Sequence, residues 1–277
     1  MTILEQLSLC QRWRERRDRY RPAGERIEPS RYGVDVISDR AAAAFVAEHH
    51  YAPNVPPQVL SVGLFDAHAL GAPRLAGVCV FSVSMNQRAI PARAGQPANR
   101  GCELGRLVLL DEVPSNGESW FVSRAFRLLR QEKPHLVAVV SYSDPLPRRR
   151  SDGSLFKVGH IGTVYQALGA RFVGRSAARS LLIAHNGTVV SERSLSKLRN
   201  DERGAGYAYD QLRALGAPAM APGESGAAYV ARVTSLPVFR RVAHPGNFTY
   251  VWGVGTRRER QAVTAGMPPA LPYPKAA

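Results

Sequence analysis

Asp144 closes an apolar run, Leu136-Val-Ala-Val-Val-Ser-Tyr-Ser-Asp144, and Pro145 follows at once. Alternation along a strand puts Tyr142 and Asp144 on one face at its carboxyl end, the end where open α/β sheets hold ligands. A carboxylate there can serve as a general base or a metal ligand; its competing role is to cap the loop that Pro145 opens. Arg106 interrupts the apolar run Glu103-Leu-Gly-Arg-Leu-Val-Leu-Leu110. A charge in a buried strand is costly unless paired, so Glu103, Asp144 and a substrate phosphate are its candidate partners. Ser119 and Ser123 stand four apart on one polar strip of a helix whose start could hold an anion; a plain polar face is the other reading. Tyr165 lies among Ile161, Val164 and Leu168, as a core tyrosine or a site phenol. His50 and Tyr51 precede Pro53, and His50 with Asp144 approaches the His/carboxylate set that suits iron or zinc, whereas capping and surface roles compete.

These residues need a scaffold. A helix is predicted from Ser38 to His49, with Ser38 or Asp39 at its N-cap, ended by the Pro53–Pro57 region. Strands follow at Val59–Phe65 and Arg74–Val83, then at Glu103–Leu110. Ser115-Asn-Gly-Glu118 fits a capping box, and Phe121, Ala125, Leu128 and Leu129 make an inward helical stripe that Pro134 stops. The run ending at Asp144 is continuously apolar, as in the middle of a sheet. A helix from Gly159 to Leu168 and a strand from Arg171 come next. Arg148-Arg-Arg-Ser-Asp-Gly153 is a basic turn beside Asp144. A polar helix is expected near Ser194–Arg203 and a last strand at Tyr250–Val254. The expected organisation is a basic segment at 1–30, a core at 31–200, a part packing on it at 201–260 and a loose tail at 261–277.

The formal charge is +15, and only four of 37 basic residues are lysine. An arginine-favouring coding bias accounts for the ratio but not for the excess, which predicts a salt-sensitive attraction to nucleic acid. Three cysteines without a Cys-x-x-Cys pair argue against a disulfide framework or a zinc site, and all three read as thiols. No apolar run approaches membrane-spanning length, and the first residues lack the order of a signal peptide, so no membrane partner and a cytoplasmic location are expected.

The order of elements resembles the GNAT acyltransferase fold: an α/β protein with a mixed central sheet flanked by helices, carrying N- and C-terminal extensions. The coenzyme A loop of that fold, a basic residue followed by Gly-x-Gly/Ala, is replaced here by Val113-Pro-Ser-Asn-Gly-Glu-Ser-Trp120. The motifs His50-Tyr51, Glu103-Leu-Gly-Arg-Leu, Glu118-Ser-Trp-Phe-Val-Ser-Arg124, Ser141-Tyr-Ser-Asp-Pro and Gly159-His-Ile-Gly-Thr-Val-Tyr-Gln166 together resemble the GNAT-related Mom family of phage DNA modification proteins, over roughly residues 35 to 200. That resemblance implies a transferase that converts adenine in DNA to an N6-carbamoylmethyl derivative, with an anti-restriction role. It implies Arg106, Ser119, Asp144 and Tyr165 as the catalytic core, with Tyr51, Tyr142, Ser123 and Arg124 binding substrate. His50 and Asp144 are the implied ligands of a ferrous ion, and acetyl-CoA is the alternative cofactor. Double-stranded DNA is the implied partner, with its base flipped out for reaction, and self-association into a homodimer is left open. The insertion Leu146–Val158 departs from the family pattern. Two other readings stand beside this one: a coenzyme A-dependent N-acyltransferase on a small amine or protein, and a non-catalytic DNA-binding protein.

Overall fold

A computed structural model describes residues 26–275 apart from 51, 53, 69, 70 and 158. Tyr51, Cys10 and the basic segment at 1–25 lie outside the described residues. The chain divides into two compact units. The first comprises Met1–Ser143, Ile161–Gly174 and Phe248–Ala277, and the second Asp144–His160 and Arg175–Asn247.

The elements run in chain order as β1 (Tyr32–Val36), α1 (Asp39–His49), β2 (Gln58–Asp66), β3 (Arg74–Ser82), α2 (Ala89–Ala94), β4 (Gly101–Leu109), α3 (Gly117–Glu132) and β5 (Ala138–Ser143). A hairpin of β6 (Arg148–Arg149) and β7 (Leu155–Lys157) follows, then α4 (Thr163–Ala167), β8 (Arg171–Arg175), β9 (Arg179–Ala184) and β10 (Val189–Val190). The chain ends with α5 (Glu192–Arg199), α6 (Ala205–Ala214), α7 (Gly226–Thr234), β11 (Phe239–His244), β12 (Phe248–Gly253) and α8 (Arg257–Gly266).

In the first unit seven strands form one mixed sheet in the order β1-β2-β3-β4-β5-β12-β8. Strands β1 to β4 make an antiparallel meander, β5 runs parallel to β4, and β12 runs antiparallel to β5. The run of β5 is apolar on both faces because both faces are covered. Helix α3 packs on β1, β2 and β4 and buries Phe121, Val122, Ala125 and Leu129. Helix α1 covers the opposite face over β2 and β3, with α2 against β5 and α8 against β12. Ser38 caps α1 by accepting the Ala41 amide, an interaction worth about 1 kcal/mol.

The second unit has its own core. Sheet β10-β9-β11 and helices α5 to α7 bury Leu182, Leu195, Leu212, Tyr229 and Val233 together. Residues 201–247 therefore belong with β9 and β10 rather than with the seven-stranded sheet, unlike the expected boundary at 200.

Several local expectations change. The capping box at Ser115 does not form as predicted: Ile27 donates its amide to the Ser115 carbonyl, the chain turns through Asn116 at φ 65°, and α3 begins at Gly117 without a side-chain cap from Asn116. A capping box does occur at Thr256 and Glu259, opening α8. The helix expected over 159–168 shrinks to α4. Gly162, at φ 73°, turns the chain where a Cβ would stand 2.7 Å from the Tyr250 ring, so only glycine fits. The tail is tied down, since residues 261–266 are helical and the Tyr273 hydroxyl donates to the Ala170 carbonyl at 2.7 Å. Among the described residues no helix is long and apolar enough to cross a membrane.

Candidate active site

Strand β5 ends at Ser143, so Asp144 stands just beyond the ladder, as the first residue of the second unit. Its carboxylate is largely buried and fully engaged. Lys157, only 4% exposed, holds its ammonium 3.3 Å from Oδ2. That ammonium also donates to the carbonyls of Asp144 and Leu146, at 3.2 and 3.0 Å. Oδ1 accepts the Leu146 amide at 3.0 Å and faces Nε2 of buried His244 at 3.0 Å. The Gly246 amide donates to Nδ1 of the same ring, which leaves the imidazole proton on Nε2, directed at Asp144. Burial by itself would raise the Asp144 pKa. The Lys157 charge and the His244 and Leu146 hydrogen bonds outweigh it and hold the carboxyl below its usual range.

His160 completes this cluster. Its amide donates to the Asp144 carbonyl at 2.9 Å. Gly159 makes that approach possible, because a Cβ there would lie 1.8 Å from the Pro145 carbonyl oxygen. Burial first, and then the Lys157 charge, push the His160 pKa down to about 4, against the pull of Asp144. At neutral pH the ring is uncharged and carries a lone pair, and the Asp144 charge acts on it. A carboxylate with its lone pairs spent on three donors orients its neighbours. The imidazole beside it can accept a proton.

In the first unit the expected site residues fall on two faces of the sheet. Gly105 is a bulge in β4, since Leu104 pairs with Phe81 and Arg106 with Val80. The extra residue restores Arg106 to the face of Glu103, three positions away, where strict alternation would oppose them. A Cβ at Gly105 would meet the Ser82 hydroxyl at 2.5 Å, so one of the two would have to shift. Arg106 donates to the carbonyls of Asn54 and Gly105 and acts on Glu103. Burial raises the Glu103 pKa despite Arg106 and a hydrogen bond with Ser84. Burial, then Glu103, raises that of Tyr142, which packs with Val140 on this same face.

Ser119, Ser123 and Arg124 ride on α3, across the sheet. The Ser119 hydroxyl donates to its own helix at the Asn116 carbonyl, 3.1 Å away. The Arg124 guanidinium lies 3.5 Å from the centre of the Trp120 ring. Tyr165, on α4, sets its ring edgewise to Tyr250 and Trp252, each at 5.4 Å, which is the packing of a core tyrosine. The structure thus gathers Arg106, Glu103 and Tyr142 on one face and Ser119, Ser123, Arg124 and Tyr165 on the side of α3 and α4.

Among the described residues, the groups expected to hold a cofactor have other protein partners. The His50 Nδ1 is engaged by the Ala52 amide at 3.0 Å. The Lys157 ammonium already occupies the cation position at Asp144, and among the described residues no group of three or more His, Cys, Asp and Glu could hold a metal ion. The turn from β4 into α3 carries Asp111 and Glu112, of which Glu112 pairs with Arg74, and Glu118 stands in the first turn of α3. Cys79 and Cys102 are free and buried, with burial raising both thiols, Cys102 to about 12.

Sequence reasoning missed Lys157, His160 and His244 as partners of Asp144. Lys157 offered the one available signal, an isolated lysine in an arginine-dominated chain. His160 stood inside a recognised motif without an assigned role.

The model of the Mom protein family matches residues 31–215, more than half of the sequence. The chain belongs to the Mom protein family. It is similar to the methylcarbamoylase Mom of Escherichia phage Mu, 29% identical over 143 residues, which are 51% of this chain and 53% of that protein. The chain thus spans about half the length of the curated relative it matches. Among solved structures, a tandem GNAT protein from the clavulanic acid biosynthesis pathway, without acetyl-CoA, aligns with a TM-score of 0.41 at 8% identity, covering 81% of this chain and 99% of that one. So loose a likeness carries no functional argument.

Proposed function

We propose that the protein is a DNA-modifying transferase that places a carbamoylmethyl group on N6 of adenine. Membership of the Mom family carries the reading, and the buried, charge-balanced Asp144 cluster supports assigning the proton chemistry to it. The exocyclic amine of adenine is a poor nucleophile because its lone pair is shared with the ring. Reaction needs an activated carbamoylmethyl donor with a leaving group on the methylene carbon. The N6–C bond forms as the bond to the leaving group breaks, and one N6 proton passes to a base. His160, uncharged at neutral pH, takes that proton, while Asp144 steadies the imidazolium that results. Lys157 and His244 keep Asp144 ionised and in place. A stacked duplex shields N6, so the base flips out at a cost of a few kcal/mol. The arginine excess, +15 overall, supplies the attraction to the DNA backbone.

The test is nucleoside mass spectrometry on DNA digested from cells that express the protein in a host supporting this modification. Wild-type protein should convert a fraction of deoxyadenosine to the carbamoylmethyl derivative. Asp144→Asn should lower conversion by about 100-fold or more with DNA affinity retained, and His160→Gln by about 10²-fold, the usual range for a positioned base. Unmodified deoxyadenosine in wild-type cells, with the donor present, would sink the proposal. Acetyl transfer to a small amine without DNA would favour the acyltransferase reading instead.

A further inference from the structure

The first unit holds a concentration of arginines away from every residue considered above. Helix α8 carries Arg257, Arg258 and Arg260 on its exposed side. Arg171 reaches the far end of the same helix, donating to the Thr264 carbonyl at 3.0 Å. Arg100 and Arg130 lie close enough to act on Glu259. Glu259 is the carboxylate of this group, and it is already engaged, accepting the Thr256 amide and hydroxyl at 2.7 Å each. Arg257 and Arg258 make no hydrogen bond or ion pair among the described residues. Arg171, Arg257 and Arg260, with Gln261, Thr264 and Ala265, line an open hollow of about 570 Å³.

We propose that this hollow and the exposed side of α8 form a docking face for the phosphate backbone of duplex DNA, a site additional to the one that reacts with the base. The inference rests on the DNA reading above. Three features favour a phosphate backbone over other anions. Arginine forks match phosphate oxygens in pairs, and Gln261 and Thr264 add neutral donors beside them. Positions 257, 260, 261 and 264 fall on one helix face at i, i+3, i+4 and i+7, a stretch of about 10 Å. That length matches about three successive phosphates of one strand, at ~3.4 Å of axis each. A lipid surface is a poorer fit, because the exposed positions of α8 are Arg, Gln, Ala and Thr, with Val263 turned inward and no large apolar side chain to insert. Helix α8 lies outside residues 31–215, the part matched by the family, whereas Arg171 lies within it.

The experiment titrates the full chain into fluorescent mixed-sequence duplex DNA across a salt series, comparing wild type with R257A/R258A and R257K/R258K. The double alanine variant should bind ~10-fold more weakly near 0.15 M salt, and its slope of log affinity against log salt should fall by about two. The double lysine variant keeps the charges and should recover most of the affinity and the slope. Wild type that binds DNA with an affinity and slope shared by R257A/R258A would overturn the docking face and leave the proposed function standing. Binding that falls as expected while deoxyadenosine stays unmodified would support the docking face and overturn the modification reading. Wild type without measurable DNA binding would overturn both.

Discussion

Two charged regions of the molecule treat charge in opposite ways. Around Asp144 every charge is met by a protein group: Lys157 and His244 hold the carboxylate, and backbone carbonyls take the remaining ammonium protons. On α8, Arg257 and Arg258 have no such partners among the described residues, and the neighbouring Glu259 serves the helix cap. Buried charge must be neutralised on the spot because desolvation is expensive, whereas exposed charge can wait for a ligand. Interior charge therefore reports architecture and chemistry, and surface excess reports a partner. Salt separates the two further, since screening weakens exposed pairs far more than buried ones.

The contrast breaks most sharply at Lys157. Replacing it with Met leaves Asp144 without its buried counter-charge and should cost about 3–5 kcal/mol of stability in urea unfolding. The loss should shrink when Asp144→Asn is added, because the uncompensated charge is then gone. An unchanged midpoint for Lys157→Met would show that the pair is not a closed unit.

A smaller effect comes from pH. The folded His160 pKa is about 4, below the ordinary histidine value of about 6.5, so on acidification the unfolded chain takes up its proton first. Stability is full above about pH 6.5 and falls as pH drops towards 4, by at most about 3 kcal/mol. His160→Gln should flatten that slope. The lowered Asp144 carboxyl acts later: its contribution is kept above the unfolded carboxylate pKa of about 3.9 and lost below it, as the folded carboxyl takes up a proton. A slope between pH 6.5 and 4 that survives in His160→Gln would assign the titration to another group.

The least change is expected on α8. Thermal unfolding of R257A/R258A should stay within about 0.5 kcal/mol of wild type, as for ordinary surface substitutions. A larger loss would mean that these arginines hold the fold, and the distinction between the two regions would close.

Much of the scaffold was legible because its signals are local. Ser38 capped α1 as expected, and the apolar runs at Val59–Phe65, Arg74–Val83 and Leu136–Ser143 became β2, β3 and β5. The helix expected from Ser115 formed as α3, two residues later and without its capping box: the Ile27 amide bonds the Ser115 carbonyl, a contact about ninety positions away in sequence that no window contains. Thr256-Arg-Arg-Glu259 carries the capping-box spacing in the sequence, and the structure forms it. At the site, Asp144 stood out by ending a buried run. Its partners did not, since His244 is one hundred residues distant and Lys157 sits in the β6–β7 insertion.

Residue types and short-range spacing by themselves determined the charge excess, the buried central strand and the aspartate at its end, because composition, alternation and capping act within a few residues. Only the tertiary structure decided which groups surround that aspartate. It also decided that a one-residue bulge at Gly105 turns Arg106 towards the face of Glu103, and that α3 and α4 carry Ser119 and Tyr165 on the other side of the sheet. Strand register and chain return set these placements, and they are products of packing the whole core, which no local pattern encodes.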